Sequence, residues 1–224
     1  MKVIGLDGCS QGWIGVVLDG DGVSAHYFAN VRQVLDDFPD VQVIAIDIPM
    51  GLLDSGPRRA DILARAKLPG RASTIFNAPA RACLVAAQYR TAKEISQRVL
   101  GNGLSKQSYA LLPKIREVDD FWLSAPCPVW EVHPELSFAK INDWKMLPSK
   151  KSWAGMMQRR DALSRVGIVL DDVVGDAARR ASTDDMLDAG ACAWSAREIF
   201  DGRAIFLLDP AEVDVTGREA AIRV

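Results

Sequence analysis

The sequence has few of the residues that form sulfur or nitrogen metal sites. Its 224 residues include four cysteines and two histidines. These are Cys9, Cys83, Cys127, Cys192, His26 and His133. The cysteines are far apart and form no Cys-x-x-Cys pair, which excludes a conventional zinc site and a small disulfide framework. We therefore predict reduced, buried thiols, and any bound metal ion would need oxygen ligands.

Long apolar runs are also absent. No stretch reaches the roughly 18 apolar residues that a membrane helix needs, and the N-terminus lacks a charged leader followed by an apolar stretch and a cleavage site. Apolar residues make up 49% and charged residues 25% of the chain, which is typical of a folded globular protein. We predict a cytoplasmic protein without a membrane partner, organised as one domain over residues 1–224.

Charge is unevenly distributed along the chain. The net charge is only −2, but residues 57–116 contain twelve Lys or Arg against two acidic residues, a surplus of ten positive charges. A basic segment beside an acidic remainder is typical of an enzyme that binds a polyanion through its basic part and metal cations through its acidic part. The alternative is a solvated helical insertion whose charges keep the protein in solution.

The first fifty residues have the pattern of a mixed sheet. Three β-rich runs, Lys2–Asp7, Gly12–Leu18 and Val23–Ala29, are joined by tight turns, which predicts an antiparallel meander. Helical spacing follows over Val31–Phe38. The run Val41–Ile48 is almost wholly apolar, as in a buried parallel strand. The order βββαβ places this fourth strand parallel to the first.

The rest of the chain is predicted to be mainly helical. Residues 53–125 have a basic, helical pattern interrupted by Pro and Gly, and we interpret them as an insertion in the α/β domain. Strand character resumes at Val129–His133. Helices are predicted over Ser152–Val166 and Ser182–Phe200, and a short closing strand over Ala204–Leu208.

Two carboxylates lie at the ends of the predicted parallel strands. Asp7 ends the first strand and Asp47 ends the fourth, so both should reach one edge of the sheet, where α/β proteins bind ligands. Like charges among apolar neighbours favour a divalent cation as compensation. Gly8 and Gly12 would let a phosphate approach the backbone. The alternative is that both aspartates merely cap turns.

The last predicted helix carries further acids. Asp185 and Asp188 are three residues apart and Asp184 and Asp188 four apart, so either pair shares a helix face. A face of small residues, Ala189, Gly190, Ala193 and Ala196, would let this helix lie close to the sheet and bring Asp188 near Asp7. Alternatively, Asp184 and Asp185 only occupy the first turn of the helix, where the helix dipole favours negative charge, and Ser182 or Thr183 is the cap.

A mixed cluster follows the insertion. Glu131, His133 and Glu135 would share a face if their strand continued, although Pro134 could end it sooner. Glu131 and His133 are candidates for proton transfer, whereas a hydrogen-bonded loop histidine is an equally good explanation. Lys151, Arg159 and Arg160 could meet phosphate or simply form a solvated helix face. Together the acids suggest two-metal phosphoryl chemistry with Mg²⁺ or Mn²⁺.

These motifs resemble those of the domain-of-unknown-function family 429, whose members are described as predicted nucleases of ribonuclease H fold. The similarity rests on Gly5-Leu6-Asp7-Gly8-Cys9 with Gly12-Trp13, Ala45-Ile46-Asp47-Ile48-Pro49-Met50-Gly51-Leu52, Ser73-Thr74-Ile75-Phe76 with Pro79-Ala80-Arg81, and Glu131-Val132-His133-Pro134-Glu135. Lys150-Lys151 with Gly155, and the Asp-Asp-Met-Leu-Asp-Ala helix, extend it over nearly the whole chain.

A shorter resemblance to Holliday-junction resolvases implies a ligand set. By that similarity Asp7, Asp47, Asp185 and Asp188 would bind two divalent ions. The resemblance implies a ribonuclease-H-like mixed sheet and a metal-dependent nuclease acting on DNA or RNA. The residues expected to hold the nucleic acid are Gly8, Arg58, Arg59, Arg65, Arg71, Arg81 and Lys151. Alternatives are a non-catalytic binding protein on the same fold, or an actin-like small-molecule phosphotransferase.

Overall fold

The computed structural model describes residues 1–171, 175–207 and 212–224. Within these residues the strands are β1 (Lys2–Cys9), β2 (Gly12–Asp19), β3 (Gly22–Phe28), β4 (Val43–Ile46), β5 (Val129–Glu131), β6 (Phe206–Leu207) and β7 (Ile222–Arg223). The helices are α1 (Gln33–Asp37), α2 (Arg59–Lys67), α3 (Tyr89–Leu100), α4 (Lys106–Trp122), α5 (Pro134–Ile141), α6 (Trp153–Arg165) and α7 (Thr183–Phe200). The protein is therefore a mixed α/β structure.

A five-stranded mixed sheet, in the order β3-β2-β1-β4-β5, organises the described part of the chain. Strands β1, β2 and β3 form the predicted antiparallel meander. Strand β4 pairs parallel with β1, as predicted, and β5 pairs parallel with β4. The strands β1 and β4 are almost entirely buried. Their continuous apolar runs are explained by packing against both faces of the sheet.

Helix α7 covers this sheet at very short range. A Cβ added to Gly5 would lie 1.9 Å from the backbone nitrogen of Ala193 and 2.5 Å from the carbonyl oxygen of Ala189. No larger residue than glycine fits at this crossing, because real Cβ atoms do not approach other atoms so closely. The predicted face of small residues is confirmed at Ala189 and Ala193. Gly190 differs, since its neighbour is Leu163 of α6.

The chain consists of two compact units. Unit 1 comprises Met1–Ile48, Ser124–Ile205 and Arg223–Val224, and contains the five-stranded sheet with α1, α5, α6 and α7. Unit 2 comprises Pro49–Leu123 and Phe206–Ile222, and contains α2, α3 and α4. The single domain over residues 1–224 with an insertion at 53–125 stays a prediction.

Several predicted elements differ in extent. The predicted strand over Val129–His133 ends at Glu131, because the chain turns into α5, which begins at Pro134 with proline in the first helical turn. Residues Glu131, His133 and Glu135 therefore do not share one strand face. The closing strand is limited to Phe206–Leu207, and residue 208 of that prediction lies outside the described residues.

The described helices fall short of what a bilayer requires. None of those within residues 1–171, 175–207 and 212–224 combines the length and the apolar character needed to span a membrane.

Candidate functional site

Asp7 lies near the end of β1 and is buried, with 9% of its surface exposed. It faces Ile14 of β2 across the antiparallel ladder. Asp47 follows the last residue of β4, and its backbone N–H donates to the carbonyl oxygen of Leu6 at 3.0 Å. The parallel ladder therefore continues to Asp47 and places both carboxylates at the same edge of the sheet.

The third carboxylate comes from α7. Asp188 is 3% exposed and lies more than one turn into the helix. Its Oδ2 accepts a hydrogen bond from the Lys150 ammonium. Its Oδ1 is buried and has no hydrogen-bond partner among the residues that the structure describes. The close contact between α7 and Gly5 of β1 explains how a helix residue reaches the strand ends.

The three aspartates perturb one another. Burial, followed by the charges of Asp47, Asp188 and Asp185, raises the pKa of Asp7 well above its usual range. Burial is also the main cause for the other two groups, raising the pKa of Asp47 to about 7 and that of Asp188 to about 6 although Lys150 opposes both shifts. Shifts of this kind are typical of functional sites, where like charges are held together in a dry environment.

Lys150 is the cation of the site. Besides contacting Asp188, its charge acts on Asp7 and Asp47. It lies 3.9 Å from Asp184, and 35% of its side chain is exposed. Despite the cost of burial, these carboxylates raise its pKa above the usual lysine value. The ammonium is thus charged at physiological pH and lies beside the acids as their compensating cation.

A buried thiol lies beside the acids. Cys192 follows Asp188 by one helical turn and is fully buried. Burial, followed by the charges of Asp47, Asp7 and Asp188, raises the pKa of its thiol well above the usual range. A thiol held neutral in this way packs as a small apolar group. All four cysteines are free, and the predicted burial is confirmed for all but Cys127, which is partly exposed.

The neighbouring acids are engaged in structural contacts. Glu135 forms two hydrogen bonds of 2.7 and 2.9 Å with the guanidinium of Arg159, which is fully buried. Its charge nevertheless acts on Asp47 and Asp188. Glu131 is buried at the end of β5, in register with Ile46 of β4. His133 precedes α5, and its carbonyl oxygen accepts from the helix.

Asp184 and Asp185 belong to the start of α7. Asp185 forms a capping box with Ser182, accepting from its backbone N–H at 3.0 Å while its own N–H donates to the serine hydroxyl at 3.2 Å. Asp184 accepts from Lys151 and from the Ser182 hydroxyl. Asp188 is thus the helix acid that accepts a hydrogen bond from Lys150, whereas Asp185 caps the helix while its charge acts on Asp7. The metal-binding role predicted for Asp185 stays a prediction.

Two arginines predicted to hold nucleic acid form internal ion pairs in unit 2. Arg58 is 4% exposed and donates to Asp61 at 2.5 and 2.9 Å. Arg81 donates to both carboxylate oxygens of Asp119 and to Asp214 at 2.6 Å. Both guanidinium groups are therefore engaged by carboxylates within unit 2, which offset the cost of burying their charge.

The remaining predicted contacts are more accessible. Arg65 donates to the carbonyl oxygen of Ile75 and to Asn77, and it lines a cleft of about 210 Å³ in unit 2. Arg59 is exposed and Arg71 partly exposed. In unit 1, Gly8 of β1 is partly exposed, and the Lys151 side chain is 73% exposed. Their role in binding a substrate stays a prediction.

The site offers carboxylate oxygens, which are the ligands that a hard divalent metal ion prefers. Over the described ranges, no three His, Cys, Asp or Glu side chains already surround one metal position. The chemistry of the donors nevertheless fits a hard divalent cation, since the carboxylates are oxygen ligands and Asp188 Oδ1 is buried without a partner. Binding would require rearrangement of side chains around Lys150.

A family comparison agrees with the motifs of the sequence. Residues 5–213 match the family described as "Protein of unknown function (DUF429)". The chain belongs to this family. The matched range includes all three aspartates of the site and Lys150. No curated protein and no solved structure matches the chain. The predicted family is thus confirmed, whereas the nuclease activity stays a prediction.

Sequence reasoning selected Lys151 and missed Lys150 as a component of the site. The two lysines are adjacent, and nothing in their local pattern indicates which one faces the acids. The ion pair with Asp188 joins residues that are 38 positions apart, so only the packing of the turn before α6 against α7 reveals it.

Proposed function

We propose that this DUF429 protein is a divalent-metal-dependent phosphodiesterase, most simply a nuclease, whose active site is formed by Asp7, Asp47 and Asp188. One observation carries the proposal: three carboxylates from two parallel strand ends and a tightly packed helix are held together with raised pKa values. A fold gains no stability from placing like charges together, so a functional explanation is favoured.

The sheet supports a ribonuclease-H-like identity for the fold. An antiparallel β1–β2–β3 meander is followed by a helix and by β4, which is parallel to β1. This is the βββαβ arrangement that the sequence predicts. A fold alone does not establish an activity, so the acids rather than the sheet carry the functional argument.

The chemistry follows from the donors. Asp7, Asp47 and Asp188 would hold the divalent cation, Mg²⁺ or Mn²⁺, with Asp185 as a further predicted ligand. When bound, such cations activate water and stabilise the leaving oxygen of a phosphodiester. Lys150, charged beside the acids, could donate to a phosphate oxygen. Glu131 and His133 remain the proposed residues for proton transfer.

Nucleic acid is the proposed substrate. The surplus of ten positive charges over residues 57–116 favours a polyanion. Arg59, Arg65, Arg71 and Lys151 are the cations that we propose to contact its phosphates. Arg58 and Arg81 contribute to the positive field of unit 2, although their guanidinium groups are engaged by carboxylates.

Cleavage of labelled nucleic acids tests the proposal. Single-stranded, duplex and branched DNA and single-stranded RNA are incubated with the protein in Mg²⁺, Mn²⁺ or a chelator. We expect metal-dependent cleavage of at least one substrate, and Asp7→Asn should lower its rate on the order of 100-fold or more, because a ligand that stabilises the transition state is worth several kcal/mol.

A matched variant controls for a nonspecific effect of removing one negative charge on the cleavage rate. Asp21→Asn removes the same charge from the exposed β2–β3 turn and should cleave at the wild-type rate. Absence of cleavage on every substrate, or equal rates for Asp7→Asn and the wild type, would refute the proposal. Metal-independent binding of a nucleic acid without cleavage would instead favour the non-catalytic binding protein.

A further inference from the structure

The turn before α6 has a backbone that is fixed by hydrogen bonds. The Ser152 N–H and hydroxyl both donate to the carbonyl oxygen of Ser149, at 2.9 and 2.7 Å. The guanidinium of Arg159, which is completely buried, donates to the carbonyl oxygen of Pro148 at 2.8 Å. A Cβ on Gly155 would lie 2.0 Å from the Ser149 oxygen, so α6 begins in direct contact with this turn. The turn therefore presents its side chains from a defined backbone.

Trp153, the first residue of α6, extends from this turn into solvent and is 75% exposed. The other tryptophans are buried or partly buried, and these are Trp13, Trp122, Trp130, Trp144 and Trp194. An aromatic side chain that packs removes roughly 150 to 250 Å² of surface from water, and Trp153 forgoes most of that burial. It offers an open aromatic face to a ligand.

Trp153 also lies close to the carboxylates of the site. Lys150, three residues earlier in the chain, donates to Asp188. Consecutive Cα atoms are about 3.8 Å apart, so the Cα atoms of Lys150 and Trp153 are separated by about 11 Å at most. Stacked nucleotides advance about 3.4 Å each along one strand. A short oligonucleotide therefore spans the distance from the acids to the indole.

The charges around this turn favour an uncharged ligand for the indole. The two lysines of the turn donate to aspartates, Lys150 to Asp188 and Lys151 to Asp184. Three further carboxylates belong to the same cluster, and these are Asp7, Asp47 and Asp185. The phosphates of a nucleic acid thus gain little attraction from these side chains without a bound cation. A nucleobase carries no charge, so it stacks on an aromatic ring without this penalty.

We propose that Trp153 stacks on an unpaired base next to the phosphodiester held at the carboxylates, so that the substrate is single-stranded nucleic acid or an unpaired segment of a duplex. The inference rests on the proposed function and names its substrate class. Bases inside a duplex present only their edges, in the grooves, whereas an unpaired base has a face free for an aromatic side chain.

Fluorescence and affinity measurements test the stacking. Three DNA probes are titrated into the protein in Ca²⁺, which carboxylates bind and which replaces Mg²⁺ to limit cleavage: a single-stranded octamer, a blunt-ended hairpin, and an octamer of abasic sites that keeps the phosphates and lacks the bases. The single-stranded octamer should quench the fluorescence of the wild type and bind about 5- to 150-fold more weakly to Trp153→Ala, the usual effect of removing one stacking ring. The hairpin should not quench it, and the abasic octamer should bind both proteins equally.

Two further variants control for effects other than stacking. Trp153→Phe keeps an aromatic face and should retain most of the affinity for the single-stranded octamer, without the quenching. Phe200→Ala removes another exposed aromatic side chain of unit 1, at the end of α7, and should bind like the wild type. An equal loss of affinity in Phe200→Ala, or a loss for the abasic octamer in Trp153→Ala, would contradict the stacking role.

The outcomes separate this inference from the proposed function. Equal affinity of the wild type and Trp153→Ala for the single-stranded octamer would overturn the inference, and metal-dependent cleavage would then leave the proposed function intact. Quenching by an oligolysine peptide, with none by the octamer, would overturn the inference in favour of a basic protein partner. Quenching by the octamer without cleavage in any metal would support the stacking role and overturn the proposed function.

Discussion

Asp47 shows how the burial of a carboxylate in the site lowers the stability of the folded protein. Its carboxyl ionises with a pKa of about 7, raised first by burial and then by Glu135, against the opposing charge of Lys150. Because the raised pKa means that the folded state binds the proton more tightly, the stability that Asp47 contributes is present below about pH 4. It is lost as the pH rises through about 7.

The replacement Asp47→Asn should therefore stabilise the protein at neutral and higher pH. In a chelator, we expect the variant to exceed the wild type in free energy of unfolding by roughly 1 kcal/mol or more at about pH 8, with a smaller difference at about pH 5. Urea unfolding at both pH values measures it. Asp21→Asn, on the exposed turn, should follow the wild type at both values. A difference that grew towards low pH would contradict this assignment.

Helix α7 is the element that assembles the site, and Gly5 is its point of contact with the sheet. The backbone of Ala193 lies where a Cβ of residue 5 would be, so Gly5→Ala should push the helix away. We expect a loss of about 2 kcal/mol or more in the free energy of unfolding, as for an overpacked core, measured by urea unfolding. Gly103→Ala should change it by less than about 0.5 kcal/mol, since its nearest neighbour is a flexible lysine side chain at 3.4 Å.

The same elements show how far local pattern determines the fold. β-rich runs joined by tight turns predicted β1 and β2 to within two residues, and small residues at helical spacing predicted the contact of α7. Helix α5 was not predicted, because Pro134 sits directly after a strand-like run and its role as a first-turn proline depends on the packing that follows. Local pattern cannot distinguish a strand that continues from one that turns into a helix.

On the scale of the whole molecule, the two kinds of predicted site residue belong to different units. The carboxylates, with Lys150, lie in unit 1, and the predicted arginines lie in unit 2. Sequence could predict both sets from residue type and spacing. It could not predict that Arg81 is paired with Asp119 and Asp214, residues 38 and 133 positions away, because such pairs are set by tertiary packing. The basic surplus therefore overstates the charge available to a phosphate.

In the proposed active site, Asp7, Asp47 and Asp188 hold a divalent cation. Anomalous scattering from crystals soaked in Mn²⁺ tests it most directly, because it locates the ion without requiring the substrate. We predict one strong peak, with oxygens of all three aspartates at roughly 2.0 to 2.2 Å from it, and no such peak in Asp188→Asn. Wild-type crystals without manganese among these carboxylates, at concentrations well above physiological levels, would contradict the account.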